Sequence, residues 1–218
     1  MDNQEKKINI YVMAGVIGVG KTTICNELCK RHSNFYYLPE PQIVDPTLNE
    51  ILVQFYKSMD KYSFTLQKVL LRSRIASYLN AIDYIKTSEK YDTIISDRSI
   101  YEDLIFCKVL KQSGNMSESE YETYKNLRKS CLKDIPKPTK LFFLKASAKL
   151  SYERIINRGR ECEKNISFDY LFLLTEEYNK FFSDEDELEI MPIVDVINYG
   201  DNSNYLKINS KIDDDLFF

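Results

Sequence analysis

Residues 15–22 read Gly-Val-Ile-Gly-Val-Gly-Lys-Thr and fit the pattern G-x-x-x-x-G-K-S/T of the phosphate-binding loop, or P-loop. The apolar, β-branched run at residues 8–14 precedes this loop and predicts a buried strand. Apolar residues at helical spacing follow it between Lys21 and His32 and predict a helix. Strand, glycine-rich loop and helix therefore occur in the order that a P-loop requires.

The residue types of the loop suit a polyphosphate. Glycines let consecutive backbone N–H groups converge on phosphate oxygens, and the N-terminus of the following helix adds partial positive charge. Lys21 can reach the outer phosphates, and the hydroxyl of Thr22 suits Mg²⁺. A glycine-rich turn that serves packing alone needs neither residue, so the sequence favours binding of a nucleoside triphosphate. The predicted nucleotide-binding residues of the loop are Gly15, Gly18, Gly20, Lys21, Thr22 and Thr23.

The composition of the chain narrows the class of protein. Its 218 residues suffice for one domain with a substantial core, and its net charge of −3 lacks the basic excess typical of a nucleic-acid-binding surface. No apolar run approaches the ~20 residues that span a bilayer, and the first residues lack the apolar stretch of a signal peptide. We expect a single cytoplasmic domain over residues 1–218 that binds neither nucleic acid nor a membrane.

Apolar strand-like runs alternate with longer helical stretches, which is typical of a parallel sheet covered by helices. The predicted strands are residues 8–14, 35–38, 93–96, 140–145 and 190–197. The predicted helices beyond the P-loop helix are residues 47–59, 63–87, 101–111, 118–132 and 148–158, and Ser117 with Glu120 forms a capping box before the fourth of these. We therefore predict an α/β fold, with a five-stranded parallel sheet flanked by helices on both faces and an irregular tail at 199–218.

Charged residues follow two predicted strands, at the carboxyl ends where ligands bind in an open parallel sheet. Glu40 lies between two prolines, in a stiff extended segment that suits a general base, although a surface turn explains this position equally well. Asp97 precedes Arg98 and occupies the place of a Mg²⁺-binding acid, a role that is compatible with capping the next helix. His32 is the only histidine, so any general base must be a carboxylate, a lysine or a tyrosine.

Positive charge is concentrated on the predicted helix at residues 148–158 and just after it. Arg154 and Arg158 share one helix face, and Gly159 ends the helix and leaves Arg160 free to move. A basic helix face alone would be an ordinary solvated surface. In a chain that also carries a P-loop, arginines of this kind can stabilise the charge on a migrating phosphoryl group, so we predict a short arginine-rich lid.

Separate motifs along nearly the whole chain, from the first strand to about Val196, together resemble the deoxynucleoside kinase family. They are Glu40-Pro41, residues 62–67 (Tyr-Ser-Phe-Thr-Leu-Gln), residues 97–103 (Asp-Arg-Ser-Ile-Tyr-Glu-Asp) and Arg154-x-x-x-Arg158-Gly159-Arg160. The resemblance implies a P-loop kinase that transfers the γ-phosphate of ATP, with Mg²⁺, to the 5′-hydroxyl of a deoxynucleoside, and that forms a homodimer.

The resemblance also implies a role for each matching residue. Glu40 would accept the 5′-hydroxyl proton, Arg98 would orient Glu40 and the reacting oxygen, and Asp97 would serve Mg²⁺. Tyr56 would contact the sugar 3′-hydroxyl with Glu163 as its partner. The residues expected around the base are Gln67, Leu70, Arg74 and Asp103, and those expected around the phosphates are Arg154, Arg158 and Arg160.

Helical spacing alone is compatible with Gln67 and Arg74 in a ligand pocket or at the edge of the core. As a charged pair, Arg74 and Asp103 suit amino and ring-nitrogen groups, which favours a purine deoxynucleoside, with deoxycytidine next. Asp97 stands where many animal members of the family have glutamate. This residue makes the chain more similar to the bacterial and viral members that act on purine deoxynucleosides. Leu70 replaces a smaller residue of several relatives, and no amphipathic final helix is evident after Gly200.

Two other functions share part of this pattern. A nucleoside monophosphate kinase such as thymidylate kinase shares the P-loop, the Asp-Arg pair and the arginine lid, but Glu40 would repel its negatively charged acceptor. A non-catalytic nucleotide-binding paralogue would keep the same motifs, because intact motifs do not demonstrate turnover.

Overall fold

A parallel sheet lies at the centre of the protein, and within the described residues its strand order is β2-β3-β1-β4-β5. The computed structural model describes residues 6–183, 193–198 and 212–213. The strands are β1 (Asn9–Ala14), β2 (Phe35–Leu38), β3 (Thr93–Asp97), β4 (Lys140–Lys145) and β5 (Ile193–Asn198).

Helices connect and cover these strands. They are α1 (Lys21–Arg31), α2 (Pro41–Val44), α3 (Pro46–Lys57), α4 (Met59–Thr87), α5 (Asp103–Gln112), α6 (Glu118–Leu132), α7 (Ala148–Arg158) and α8 (Phe168–Phe181), with a 3-10 turn at Glu161–Glu163. The prediction of an α/β fold with a parallel sheet and flanking helices is confirmed.

Burial along the strands shows that both faces of the sheet are covered. Residues 10–14 of β1 and all of β3 are buried, although successive side chains of a strand point to opposite faces. The largest fully buried side chains include Phe142 of β4 and Ile94 of β3. The core is therefore continuous through the sheet, and it fixes where the strands end.

Several helix boundaries differ from the predicted ones. The long helix α4 begins at Met59, four residues before the predicted start. Only Ser58 separates it from the end of α3. The helix after β3 begins at Asp103 with Glu102 as its N-cap residue, so Asp97 is the last residue of β3 and not a helix cap. The short helix α2 and the helix α8 were not predicted.

The predicted helix ends carry the expected local signals. Ser117 and Glu120 form the predicted capping box at the start of α6. Gly159 adopts a left-handed conformation (φ 60°) and ends α7, as predicted. Positions 190–192 of the predicted last strand and most of the predicted tail at 199–218 lie outside the described residues. Within that tail, Ile212 is buried and Asp213 forms an ion pair with Arg31.

The strand register brings three loops to one edge of the sheet. β1 pairs with β3 so that Met13 lies opposite Asp97, and β2 pairs with β3 so that Leu38 lies opposite Ser96. The P-loop after β1, Glu40 after β2 and Arg98 after β3 consequently start from neighbouring points. This edge is where the predicted functional residues meet.

Candidate active site

A cavity of about 420 Å³ opens at the carboxyl edge of the sheet. Most of the predicted site residues line it: Gly18, Gly20, Lys21, Thr22, Thr23, Glu40, Tyr56, Gln67, Leu70, Arg74, Asp97, Arg98, Arg154, Arg158, Arg160 and Glu163. Gly15 and Asp103 lie behind its wall, where both are buried. The structure thus brings predicted residues that are distant along the chain into one cavity or directly behind it.

The P-loop wraps around the side chain of Lys21. The Lys21 ammonium donates to the carbonyl oxygens of Gly15 (2.8 Å) and Val16 (3.1 Å). Burial and the nearby Arg98 lower the pKa of Lys21 to about 8, although Glu40 and other carboxylates oppose that shift. Lys21 is therefore held inside the cavity with a pKa below that of an ordinary lysine.

Helix α7 packs directly on the P-loop. A Cβ atom at Gly18 would lie 2.4 Å from the carbonyl oxygen of Ser151, so only glycine allows this approach. The guanidinium of Arg154 donates to the carbonyl oxygen of Val19. The helix that carries the predicted lid arginines is therefore seated on the loop that is expected to hold the phosphates.

Asp97 and Thr22 provide neighbouring oxygen atoms at the base of the cavity. The Thr22 hydroxyl (2.5 Å) and the Tyr37 hydroxyl (3.3 Å) both donate to Oδ2 of Asp97. The other carboxylate oxygen, Oδ1, is buried and has no hydrogen-bond partner among the described residues. Burial and the nearby Glu40 raise the pKa of Asp97. A cation at this point would satisfy Oδ1 and stabilise the ionised carboxylate.

Glu40 is buried at the N-terminus of α2, and not in a surface turn. Pro41 forms the first residue of α2, while Glu40 keeps an extended backbone (φ −60°, ψ 134°). Its carboxylate accepts hydrogen bonds from Arg98 and from the amide of Gln42. Burial alone would raise the pKa of Glu40, but Arg98, Lys21 and other cations outweigh it and hold the pKa at about 2.

Arg98 is fixed by its backbone and by its side chain. Its φ of 83° lies in the left-handed region that L-residues avoid. Besides Glu40, the guanidinium donates to the hydroxyl of Tyr178 (2.8 Å) and to Oε1 of Glu102 (3.4 Å). Its central carbon lies 5.0 Å from the centre of the Phe106 ring. Such a network leaves Arg98 a single orientation, toward Glu40.

The far end of the cavity combines an apolar wall with polar groups. Arg74 forms a buried ion pair with Asp103, and Gln67 is buried beside it on α4. Three atoms here lack a hydrogen-bond partner within the described part of the chain: Oε1 of Gln67, Nε of Arg74 and Oδ2 of Asp103. The apolar lining comes from Leu52, Phe55, Leu66, Leu70 and Phe106. A flat heterocycle with donors and acceptors on its edge would satisfy such a site.

Glu163 and Arg158 form a pair that the sequence did not predict. The Arg158 guanidinium donates to both carboxylate oxygens of Glu163, at 2.7 and 2.6 Å, and Arg160 lies 3.6 Å from the same carboxylate. Tyr56, which is expected to contact the sugar 3′-hydroxyl together with Glu163, packs its ring against Phe55 and Tyr170 in the same cavity. The lid arginines are therefore bound to the carboxylate expected at the sugar.

Four further residues reach this site without having been predicted: Tyr37, Gln42, Glu102 and Tyr178. Glu102 belongs to the motif at residues 97–103, which by itself indicates no role for it. Tyr178 lies on α8, whose apolar residues recur at helical spacing after the N-cap Ser167. That pattern would have identified the helix, although not the contact with Arg98.

No helix within the described part of the chain is both long and apolar enough to cross a membrane.

Comparison with known proteins gives one consistent result. The family model described as "Deoxynucleoside kinase" matches residues 11–215. A deoxyguanosine kinase of Dictyostelium discoideum is 33% identical over 204 residues, covering 91% of this chain and 69% of that protein. A deoxyadenosine/deoxycytidine kinase of Bacillus subtilis is 33% identical over 180 residues, covering 81% and 78%. The structure of deoxyadenosine kinase from M. mycoides with bound dCTP superposes with a TM-score of 0.78 at 25% identity, covering 95% and 98%.

Proposed function

Because this chain belongs to the deoxynucleoside kinase family and so phosphorylates deoxynucleosides, we propose that it transfers the γ-phosphate of ATP to the 5′-hydroxyl of a purine deoxynucleoside. One observation carries this proposal. A single cavity has the P-loop lysine at one end, polar atoms of Gln67 and Arg74 without a hydrogen-bond partner among the described residues at the other, and the Glu40–Arg98 pair between them. The residues proposed for the donor, the base and the acceptor therefore share one cavity.

The P-loop and α7 form the donor end. Lys21 binds the outer phosphate oxygens, helped by the backbone N–H groups of the loop and the N-terminus of α1. Arg154, Arg158 and Arg160 line the same end and stabilise the negative charge on the transferred group. Arg158 must then exchange some of its contact with Glu163 for contact with phosphate oxygens.

Thr22 and Asp97 fit a magnesium ion. A P-loop hydroxyl lies next to a carboxylate whose buried Oδ1 has no partner in the part of the chain that the structure describes, and these are donors that Mg²⁺ uses beside nucleotide phosphates. When bound, this ion would neutralise charge on the phosphates. Tyr37 holds the carboxylate of Asp97 in place through Oδ2, which leaves Oδ1 for the ion.

Glu40 accepts the proton of the 5′-hydroxyl. A pKa of about 2 keeps this carboxylate ionised at neutral pH, but also makes it a weak base. A weak base is adequate here because the transition state of phosphoryl transfer is loose, so the hydroxyl loses its proton late. Arg98 contributes by aiming Glu40 at the hydroxyl oxygen and by holding that oxygen for in-line attack.

The acceptor end favours a base with both donors and acceptors. Gln67 can pair with an amino group and the adjacent ring nitrogen, while Arg74, held by Asp103 from behind the cavity wall, supplies one more donor. A base that leaves these buried groups unpaired is rejected. Kinases of deoxyguanosine and deoxyadenosine among the relatives support a purine, with deoxycytidine next. Tyr56 and Glu163 hold the sugar 3′-hydroxyl.

The protein is further proposed to act as a homodimer in the cytoplasm. Leu79 on α4 and Leu127 on α6 are large apolar side chains with at least a third of their surface exposed, as the face of a dimer would require. Light scattering of the purified chain measures its mass directly. A monomer at micromolar concentration would contradict the proposal.

A phosphate-transfer assay with the natural deoxynucleosides and their monophosphates tests the function. Deoxyadenosine or deoxyguanosine should be the best acceptor, and turnover of monophosphates alone would favour the monophosphate kinase that shares these motifs. Glu40→Gln should lower kcat by about 10²–10⁴-fold while ADP still binds. Glu177→Gln, which removes a buried carboxylate on α8 away from the cavity, is the matched control. Equal kcat values for the two variants would exclude Glu40 as the base.

A further inference from the structure

We propose that Glu102 is a positioning residue that couples the P-loop to Arg98, so that donor and acceptor binding strengthen each other. This inference rests on the proposed function, because it assigns a residue for the coordination of the two substrates. No catalytic step is assigned to Glu102, which lies behind the cavity wall and is completely buried.

The carboxylate of Glu102 joins two loops that follow neighbouring strands. Its Oε2 accepts the backbone N–H of Gly15, the first glycine of the P-loop, at 2.9 Å. Its Oε1 accepts the backbone N–H of Ser99 at 3.1 Å and lies 3.4 Å from the Arg98 guanidinium. One side chain therefore holds the start of the donor loop and the residue that aims the base.

Helix capping does not explain this arrangement. Glu102 is the N-cap residue of α5, yet within the described residues its side chain accepts no hydrogen bond from the first turn of that helix. It turns back toward β1 and β3 instead. A buried carboxylate is costly unless it is paired, and here two N–H groups and one guanidinium satisfy it. Burial raises the pKa of Glu102, while Arg98 and Lys21 oppose that rise.

The contacts form an unbroken chain from the phosphates to the base. Lys21 donates to the carbonyl of Gly15, the N–H of Gly15 donates to Glu102, Glu102 contacts Arg98, and Arg98 holds Glu40. A phosphate group that draws Lys21 away from Gly15 would shift the backbone of Gly15 and so its hydrogen bond with Glu102. Through Arg98, this shift would change the position of Glu40. Coupling between two binding sites requires such a shared element, and it acts equally in both directions.

The coupling factor is the ratio of the ADP dissociation constants without and with saturating deoxyadenosine, both measured by calorimetry. We expect a factor of about five or more for the unchanged protein and a factor near one for Glu102→Gln, which keeps the shape but loses the charge. The kcat of Glu102→Gln should fall at least about tenfold, while the KM for each substrate at saturating co-substrate should rise only by about the coupling factor that is lost. Glu177→Gln is again the control and should keep both the wild-type coupling factor and the wild-type kcat.

A double-mutant cycle shows whether Glu102 acts through Arg98. In an Arg98→Met background, Glu102→Gln should change the coupling factor less than about twofold, because its partner is already gone. If Glu102→Gln does not fold, Glu102→Asp replaces it: the charge remains, but a side chain one methylene shorter cannot reach both loops. Its coupling factor should lie well below that of the wild type.

The outcomes separate the two proposals. If the wild-type protein phosphorylates no deoxynucleoside, the proposed function fails. If the wild type is active but Glu102→Gln or Glu102→Asp keeps its kcat and coupling factor, the positioning role is wrong while the function stands. Full loss of coupling by Glu102→Gln in the Arg98→Met background would also overturn it, since Glu102 would then act independently of Arg98.

Discussion

ADP affinity should fall steeply between pH 7.5 and pH 9, because Lys21 loses its proton in that range. Burial and Arg98 lower the pKa of Lys21 from an ordinary 10.5 to about 8. Only the protonated ammonium attracts phosphate oxygens, and binding must supply the proton when Lys21 is neutral. A lysine with an ordinary pKa would stay protonated across this range.

The size of the effect follows from the pKa. With a pKa of about 8, the protonated fraction of Lys21 drops from about three quarters at pH 7.5 to about one tenth at pH 9, so the apparent affinity should fall about eightfold, or about 1 kcal/mol. The same shift acts on folding. Above pH 8 the unfolded chain holds a proton that the folded one has lost, so the shift makes the free energy of unfolding rise with pH up to the ordinary lysine pKa, by at most about 3 kcal/mol.

Calorimetric titration with ADP, at fixed free Mg²⁺ and without acceptor, measures the affinity at each pH. Lys21→Arg is the control, because a guanidinium stays charged at pH 9 and the affinity of this variant should be weaker but flat. Urea unfolding of the wild type and of Lys21→Met isolates the effect on folding. An ADP affinity that is constant from pH 7.5 to pH 9, or an equal fall in Lys21→Arg, would refute the reasoning.

Three other substitutions test the packing around the site. Gly18→Ala should weaken ADP binding at least about tenfold, because the new Cβ would meet the carbonyl of Ser151 at 2.4 Å; wild-type affinity in calorimetry would contradict this. Arg74→Met should lower the free energy of unfolding by roughly 3–5 kcal/mol, since it leaves the carboxylate of Asp103 buried without its ion-pair partner; a loss below about 1 kcal/mol in urea unfolding would exclude this cost. Ser117→Ala should cost about 1 kcal/mol through the lost capping box and leave kcat unchanged, so a change in kcat would argue against a purely local role.

Local signals in the sequence account for the predictions that succeeded. The P-loop pattern, the capping box at Ser117 and the glycine that ends α7 depend on neighbours within a few residues. The position of Glu40 and Asp97 at one cavity could also be predicted, because parallel strands bring their carboxyl ends to the same edge.

Contacts between distant segments could not be predicted in this way. Gly15 and Glu102 are 87 residues apart in the chain, and Arg98 and Tyr178 are 80 apart. Periodicity fixes which face of a helix is apolar, but not which polar atom on another element it meets. The choice of Arg158 as the partner of Glu163 likewise depends on how the turn after α7 folds back over the cavity.

Two opposing contributions to stability meet at Arg98. A left-handed φ of 83° costs an arginine about 1–2 kcal/mol, which glycine would not lose and asparagine would largely avoid. Neither of those residues carries a guanidinium, so either would leave the carboxylates of Glu40 and Glu102 buried without this cation. Breaking a buried ion pair costs about 3–5 kcal/mol, which exceeds the backbone strain that is relieved. A library screened only for thermal resistance should therefore retain arginine at this position, together with the strained turn that presents it.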